Sequence, residues 1–374
     1  MSLSLEVKKF INSEHTGEYI EIELPGELEV RRPRAKKAAP AAPVEAEASG
    51  ADVSGTDVPG ADAPGADAPG TDAPGTDVPS AEASDTDILE AEAPAPKAAE
   101  PAAPALEPEA QHERARVHYI EAGTGEPLIL VHTVGQSFYT WRRVFNRLSE
   151  HYRVIAPDLL GHGYSDRPFT FGYTIEEQAD ALRRFMDALG IESAHFAAFS
   201  MGCAYALKFA MQNPARVGRL VLVTPGGVTQ EMPLSIRMID SPVLGFLASR
   251  LYGLRTVEKM LHEAVFDLTN ITPDVVQEYY RPASDPEGRR AIRLSLQYFE
   301  DEEIIANLRT LAADTLILMG AEDKWHTAES CELYHAALRN AGFSVVRNAG
   351  HLMHEEKPDR FIAALLEFIP VVMP

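Results

Sequence analysis

From Ala115 onward the chain alternates short, continuously apolar runs with stretches whose apolar residues recur every three to four positions. That alternation restricts the fold more than any other feature. The runs are "VHYIEA" (117–122), "PLILVH" (127–132), "YRVIAP" (152–157), "AHFAAF" (194–199), "RLVLVT" (219–224), "DTLILM" (314–319) and "SVVRNA" (344–349). Between them lie helical patterns such as "TIEEQADALRRFMDALG", in which Ile175, Ala179, Leu182, Phe185, Met186 and Leu189 share one face. Strands apolar on both sides must be covered on both sides, so the pattern predicts an α/β domain whose mostly parallel sheet is flanked by helices. Residues 113–374 are long enough to enclose one substantial core.

One interval breaks the alternation. Residues 228–308 carry helical patterns and no strand signal: "SIRMIDSPVLGFLASRLYG", "TVEKMLHEAVF", "TPDVVQEYY" and "AIRLSLQYFEDEEIIANLRTL". An all-helical insertion after a strand of a parallel sheet belongs at the carboxyl ends of the strands, where such sheets bind ligands, and predicts a lid. Counting a strand near the N-terminus, the insertion follows the sixth strand.

Before this domain the chain changes character twice. Within residues 1–37, "GEYIEIELPGELEVRRPRAKK" alternates with period two around a Pro-Gly turn and reads as a hairpin. It either contributes a first strand to the same sheet or forms an autonomous tail, and both readings stay open. Residues 38–112 are an Ala/Pro/Asp/Gly-rich linker with a pentapeptide echo (VSGTD, VPGAD, APGAD, APGTD, APGTD, VPSAE). So few large apolar residues cannot offset the entropy of ordering, which predicts disorder. Residues 38–110 hold 16 acidic residues and one lysine, so most of the chain's net charge of −22 sits there and says little about the substrate.

The remaining composition excludes several classes. No basic stripe interleaved with aromatics points to nucleic acid. No run approaches the roughly 18 apolar residues of a membrane span. Cys203 and Cys331 are too few for a disulfide framework or a thiolate metal site. The start "MSLSLEVKKFINSEH" does not read as a secretory signal, so a cytoplasmic protein is expected. Whether the N-terminal segment has a protein partner stays open.

The chemistry centres on "AFSMG". Ser200 stands between an apolar run and a helical pattern, with small residues, Ala198 and Gly202, two before and two after. This is the arrangement of a sharp strand-to-helix turn that presents a nucleophilic hydroxyl, with alanine in place of the usual first glycine. A serine at that place is also an ordinary helix cap, so the motif alone decides nothing. "LILMGAEDKW" exposes Asp323 just beyond a later strand, and "VVRNAGHLMHEEKPDRF" exposes His351 beyond the next. A hydroxyl, a carboxylate and an imidazole in that chain order can form a proton relay.

With these residues in place the domain resembles the α/β-hydrolase superfamily, in the lidded branch that includes esterases, epoxide hydrolases, haloalkane dehalogenases and carbon-carbon bond hydrolases. The resemblance covers essentially residues 115–372. "PLILVHTVGQSFYTW" resembles the family's strand, His-Gly and downstream Trp. "VIAPDLLGHGYSDRP" resembles its D-x-x-G-x-G-x-S loop, and "GHLMHEEKP" resembles its histidine loop.

The resemblance implies a triad of Ser200, Asp323 and His351. Asp314 and Glu322 compete with Asp323, but Asp314 precedes its strand and Glu322 is one residue off the family position. It implies oxyanion donors in the amides of Met201 and Val134. Thr133 departs from the family's glycine. A left-handed conformation there would be costly for a β-branched residue, so a reshaped oxyanion loop is expected. Trp325 is a candidate for lining the substrate pocket. His132, Asp158 and Ser165 are read as organising loops, His162 and His354 as surface or loop-packing residues, and Cys203 as packing in the helix after Ser200.

Ser200 leaves no carboxylate nucleophile for dehalogenase or epoxide hydrolase chemistry. The reading is a serine hydrolase acting through an acyl-enzyme on a small-molecule carboxylic ester, or a related acyl substrate, with an apolar group. The alternatives are a carbon-carbon bond hydrolase, an acyltransferase or an aminopeptidase on the same scaffold, or a catalytically weak binding protein. The implied chemistry calls for no metal and no organic cofactor.

Overall fold

Eight strands hydrogen-bond into one sheet in the order β1-β2-β4-β3-β5-β6-β7-β8. They are β1 (Glu18–Glu23), β2 (Arg114–Ala122), β3 (Pro127–Val131), β4 (Arg153–Pro157), β5 (Ala194–Phe199), β6 (Val217–Val223), β7 (Asp314–Gly320) and β8 (Ala341–Val346). The structure is a computed structural model and describes residues 17–24, 113–226 and 252–371. β1 and β2 are antiparallel to each other, β2 is antiparallel to β4, and every later pairing is parallel.

The continuous apolar runs become strands because both sides of the sheet are covered. Ile129, Val131, Phe196, Ala198, Leu220 and Leu222 point into one buried cluster. Their neighbours Leu128, Leu130, Ala197, Phe199, Val221 and Val223 point into the other. Burying such side chains stabilises the fold by about 1.5–3 kcal/mol apiece for the larger ones. After the short α1 (Phe145–Leu148), the first cluster packs under α2 (Ile175–Ala188) and α3 (Gly202–Gln212). α2 starts where Thr174 and Glu177 form a reciprocal cap, each side chain bonding the other's backbone amide.

β1 pairs with β2 from Glu18 opposite Tyr119 to Glu23 opposite Arg114. The N-terminal segment therefore supplies a first strand of the same sheet, and the acidic repeat falls between two adjacent strands. The expected hairpin partner after Pro25, and the whole acidic linker, lie outside the described residues.

The strand expected at 344–349 begins and ends three residues earlier, at Ala341–Val346. It is an edge strand whose side chains are exposed or half-exposed, so burial does not mark its limits in the sequence. Asn348, left-handed at φ 58°, then turns the chain out of the sheet.

The interval after β6 is helical where it is described: α4 (Leu254–Ala264), α5 (Pro273–Tyr280), α6 (Pro286–Gln297) and α7 (Glu302–Asn307). The first helical pattern expected there falls outside the described residues up to Leu251. α8 (Ala328–Ala337), the short α9 (Met353–Glu356) and α10 (Pro358–Phe368) complete the domain. Among the described residues no helix is long and apolar enough to cross a membrane.

Asp301, just before α7, is buried with one carboxylate oxygen lacking a hydrogen-bond partner. Burial, helped by the nearby charge of Glu302, pushes its pKa up to about 6. A carboxyl whose folded pKa is raised destabilises the fold progressively as pH climbs from the ordinary value of about 4 to the raised one. Asp301→Asn is therefore expected to stabilise the protein on the order of 3 kcal/mol at pH 8. The gain should shrink below about 1 kcal/mol by pH 4, where the unfolded carboxyl is itself protonating. Urea midpoints for the two proteins at both pH values check this, and a gain that does not shrink with acid would refute it.

Candidate active site

Ser200 ends β5 in the left-handed region, at φ 53°. A non-glycine residue held there stores on the order of 1–3 kcal/mol of strain. The turn is fixed from both sides: the Ser200 amide donates to Val223 O at 2.9 Å, and the Cys203 amide donates to Ser200 O at 2.9 Å. Gly202 is required by close approach, because a Cβ there would lie 2.4 Å from the carbonyl oxygen of His132. Ala198 sits fully buried between Val131 and Leu222 of the flanking strands, where one methyl is accommodated.

The structure brings Ser200, Asp323 and His351 into one hydrogen-bonded chain. Ser200 Oγ lies 3.1 Å from His351 Nε2, and His351 Nδ1 lies 2.8 Å from Asp323 Oδ2. Asp323 Oδ1 accepts from the amides of Trp325 at 2.8 Å and His326 at 3.1 Å, which locks the carboxylate. Burial raises the Asp323 pKa, but the neighbouring His351 charge and its hydrogen bond outweigh that and hold the carboxyl below its usual value. An ionised carboxylate only accepts, so Nδ1 carries the ring proton and Nε2 presents its lone pair to the serine hydroxyl.

The histidine is seated by its loop. Its amide donates to Ala264 O at the end of α4, at 2.7 Å. Gly350 is needed there because a Cβ would lie 2.5 Å from that same oxygen. Glu356 accepts from the Gly350 amide at 2.6 Å and from the amides of Phe266 and Asp267 at 2.9 Å each. One carboxylate thus ties the histidine loop to the end of the first described cap helix.

Met201 and Val134, the expected oxyanion donors, both line the cavity that holds Ser200 and His351. Thr133 avoids the left-handed conformation that would be costly for it. It is not among the left-handed residues, and Gly135, at φ 76°, makes the sharp turn instead. The Thr133 carbonyl accepts from Gln136 at 3.3 Å and lies 2.7 Å from His132 Nδ1. Its hydroxyl reaches the elbow: the Met201 amide donates to Thr133 Oγ1 at 3.2 Å.

A family model described as alpha/beta hydrolase fold matches residues 126–358. The chain belongs to this family. A 2-hydroxy-6-oxo-6-phenylhexa-2,4-dienoate hydrolase from Burkholderia cepacia is 30% identical over 271 residues, covering 68% of this chain and 91% of the relative. The solved structure of such a hydrolase from Rhodococcus sp. strain RHA1 matches with a TM-score of 0.60 at 25% identity, covering 68% of this chain and 94% of that one. An epoxide hydrolase structure matches with a TM-score of 0.59 at 26% identity and the same coverage.

The other conspicuous residues of this α/β hydrolase have structural places. Asp158 accepts from the amides of Phe138 at 2.7 Å and Tyr164 at 2.9 Å, and lies 2.8 Å from His118 Nδ1. Ser165 donates to Asp158 O at 2.6 Å. His132 Nε2 accepts from the Leu159 amide at 2.9 Å. His162 and His354 are fully buried, which removes the surface half of their reading. Burial pushes the His354 pKa down to about 4, and His162 well below its ordinary value. Cys203 is buried in α3, which drives its thiol pKa far up and leaves it un-ionised. Asp314 starts β7 exposed, and Glu322 accepts from the Ala349 amide at 2.9 Å, so neither reaches His351.

The hydrolase's cavity over Ser200 and His351 is walled by Val257 and Leu261 of α4, by Ile292 and Leu296 of α6, and by Trp325 and Leu352. The Trp325 ring lies 4.9 Å from the His351 ring, which places it at the pocket as expected. Among the described residues of the wall, Thr133, Gln136, Tyr252 and Tyr279 are polar but uncharged.

Asp323, His326 and His351 form a group whose ligand atoms lie within 4.8 Å of one another. The His326 and His351 rings stack at 15°, however, so their in-plane lone pairs run parallel instead of converging. Both His351 nitrogens are already engaged with Asp323 and Ser200.

Three contributions escaped the sequence reading. They are the Thr133 side chain on Met201, the stacked His326, and the buried bond from Tyr279 Oη to Glu355, which Arg142 also holds at 2.8 Å. The apolar stripe of α4 was visible in "TVEKMLHEAVF", but which wall it would face was not.

Proposed function

We propose that this protein hydrolyses a carboxylic ester of an uncharged, apolar acid through an acyl-enzyme on Ser200. The observation that carries the reading is a Ser200–His351–Asp323 relay opening onto a wall with no charged side chain among its described residues. Ser200 Oγ attacks the ester carbonyl while His351 Nε2 takes its proton. The proton then passes to the departing alkoxide as the carbon–oxygen bond breaks. Water enters by the same steps in reverse and frees the acid. Asp323 keeps the imidazole in its working tautomer and stabilises its charged form.

A second reading, carbon-carbon bond hydrolysis, is favoured by relatives named for dienoate substrates. A dienoate brings a carboxylate, and burying an ion without a partner costs several kcal/mol. Among the described residues of the wall no cation is present to pair it.

Competing substrates separate the two readings. An aryl ester of a neutral apolar acid is expected to exceed a 2-hydroxy-6-oxo-dienoate in kcat/KM by about 100-fold or more, the factor that 3 kcal/mol of unpaired charge supplies. The reverse order would establish the second reading instead.

A further inference from the structure

We propose that the Thr133 hydroxyl is a third oxyanion donor in this enzyme, and a catalytic residue in its own right. The inference rests on the acyl-enzyme reading of Ser200 and adds a group to it. Thr133 Oγ1 already holds the amide expected to bind the oxyanion: it accepts from Met201, the residue after the serine, at 3.2 Å, in a cavity also lined by Ser200 and Val134. The residue is largely buried. Among the described residues the Val134 amide donates to no protein acceptor.

A hydroxyl can both accept and donate, and that decides its role. In the free enzyme its oxygen accepts from Met201 and keeps that amide aligned in an apolar pocket, where an unpaired N–H would be costly. Its own proton has no acceptor among the described residues of the protein. When Ser200 attacks, negative charge grows on the carbonyl oxygen. The Thr133 side chain turns about χ1, releases the Met201 amide to the oxyanion and donates its O–H to the same atom. No covalent bond of Thr133 changes. One neutral bond is exchanged for two bonds to an anion, and charge-assisted bonds are roughly twice as strong. The exchange is favourable only once charge has developed, so it lowers the barrier without tightening ground-state binding.

A glycine, the residue the family resemblance implies here, can make neither bond. Threonine also fits without backbone strain, because the left-handed turn has moved to Gly135.

The test uses the full chain and an aryl ester, with Thr133→Val, Thr133→Ala and Thr133→Ser. The expected result is a fall in kcat of about 10²–10³ for the valine and alanine variants with KM little changed, and a serine variant within about fivefold of wild type. Against a thionoester, whose sulfur is a poor acceptor, wild type should lose far more rate than Thr133→Val does. A purely structural role for the methyl and hydroxyl would not produce that difference. Variants that all lose equally, or a valine variant within twofold of wild type, would overturn the proposal. Thermal unfolding of each variant separates loss of fold from loss of rate, and the alanine variant serves if valine does not fit. A wild-type protein that neither labels with a fluorophosphonate nor turns over any ester refutes the acyl-enzyme reading itself. Labelling with an unaltered Thr133→Val refutes only the third donor.

Discussion

Replacing Ser200 with alanine is expected to lower kcat by about 10⁶ and to abolish labelling by a fluorophosphonate. The change removes one oxygen from a turn whose backbone is fixed independently, through the Ser200 amide on Val223 and the Ser200 carbonyl on Cys203. The fold should therefore survive, and alanine meets the same left-handed strain the serine already bears. What is lost is the atom that forms the acyl bond. Cys203 cannot substitute: it is buried in α3 with its thiol un-ionised and hydrogen-bonded toward Ala198 O at 3.2 Å. Single-turnover kinetics with an aryl ester and mass spectrometry of the labelled protein measure both effects. An alanine variant that still labels, or keeps a tenth of the wild-type rate, is incompatible with Ser200 as nucleophile.

Asp323→Asn should cost about 10⁴ in kcat, by a route the hydrogen bonds define. Asp323 Oδ1 is held by two backbone amides, Trp325 and His326, and both need an acceptor. An asparagine must therefore keep its carbonyl oxygen there and turn its NH₂ toward His351 Nδ1. That group donates where the carboxylate accepted, so the imidazole has to move its proton to Nε2. The lone pair that faced Ser200 Oγ at 3.1 Å disappears, and the serine has no base. Geometry and stability change little, because the substitution is isosteric and retains the turn. Proton NMR of the ring nitrogens reports the tautomer directly. An asparagine variant with its proton still on Nδ1, or with a rate within tenfold of wild type, would show that the carboxylate is not what orients the ring.

The nucleophile turn could be read in advance because its constraints are local. Small residues at 198 and 202 around a serine report a crossing where β3 leaves no room, and the contact of Gly202 with His132 O is that crossing. Asp323 was legible because it follows an apolar run that had to be a strand, and His351 because "GHLMHEEKP" resembles the family's histidine loop. By contrast, the edge strand at 341–346 carries no burial signal, since its side chains are half exposed. His162 and His354 resisted reading for the opposite reason. A polar side chain gives no sign in sequence that a distant loop will bury it, and His354 is enclosed by Trp141 and bonded to Thr140 from more than 200 residues away.

What the amino-acid order alone determined was the layered α/β architecture, the place of the helical insertion after β6, and the three residue types able to form a relay. Hydrophobic period and turn chemistry act over a few residues, so they can be read one segment at a time. Only the tertiary structure decided that β1 closes onto β2 across the acidic repeat, that Glu356 ties the cap to the histidine loop, and that Thr133 Oγ1 lies on the Met201 amide. Each of these joins groups far apart along the chain. Such contacts form because the packed whole holds the backbones at bonding distance, and no local pattern encodes that distance.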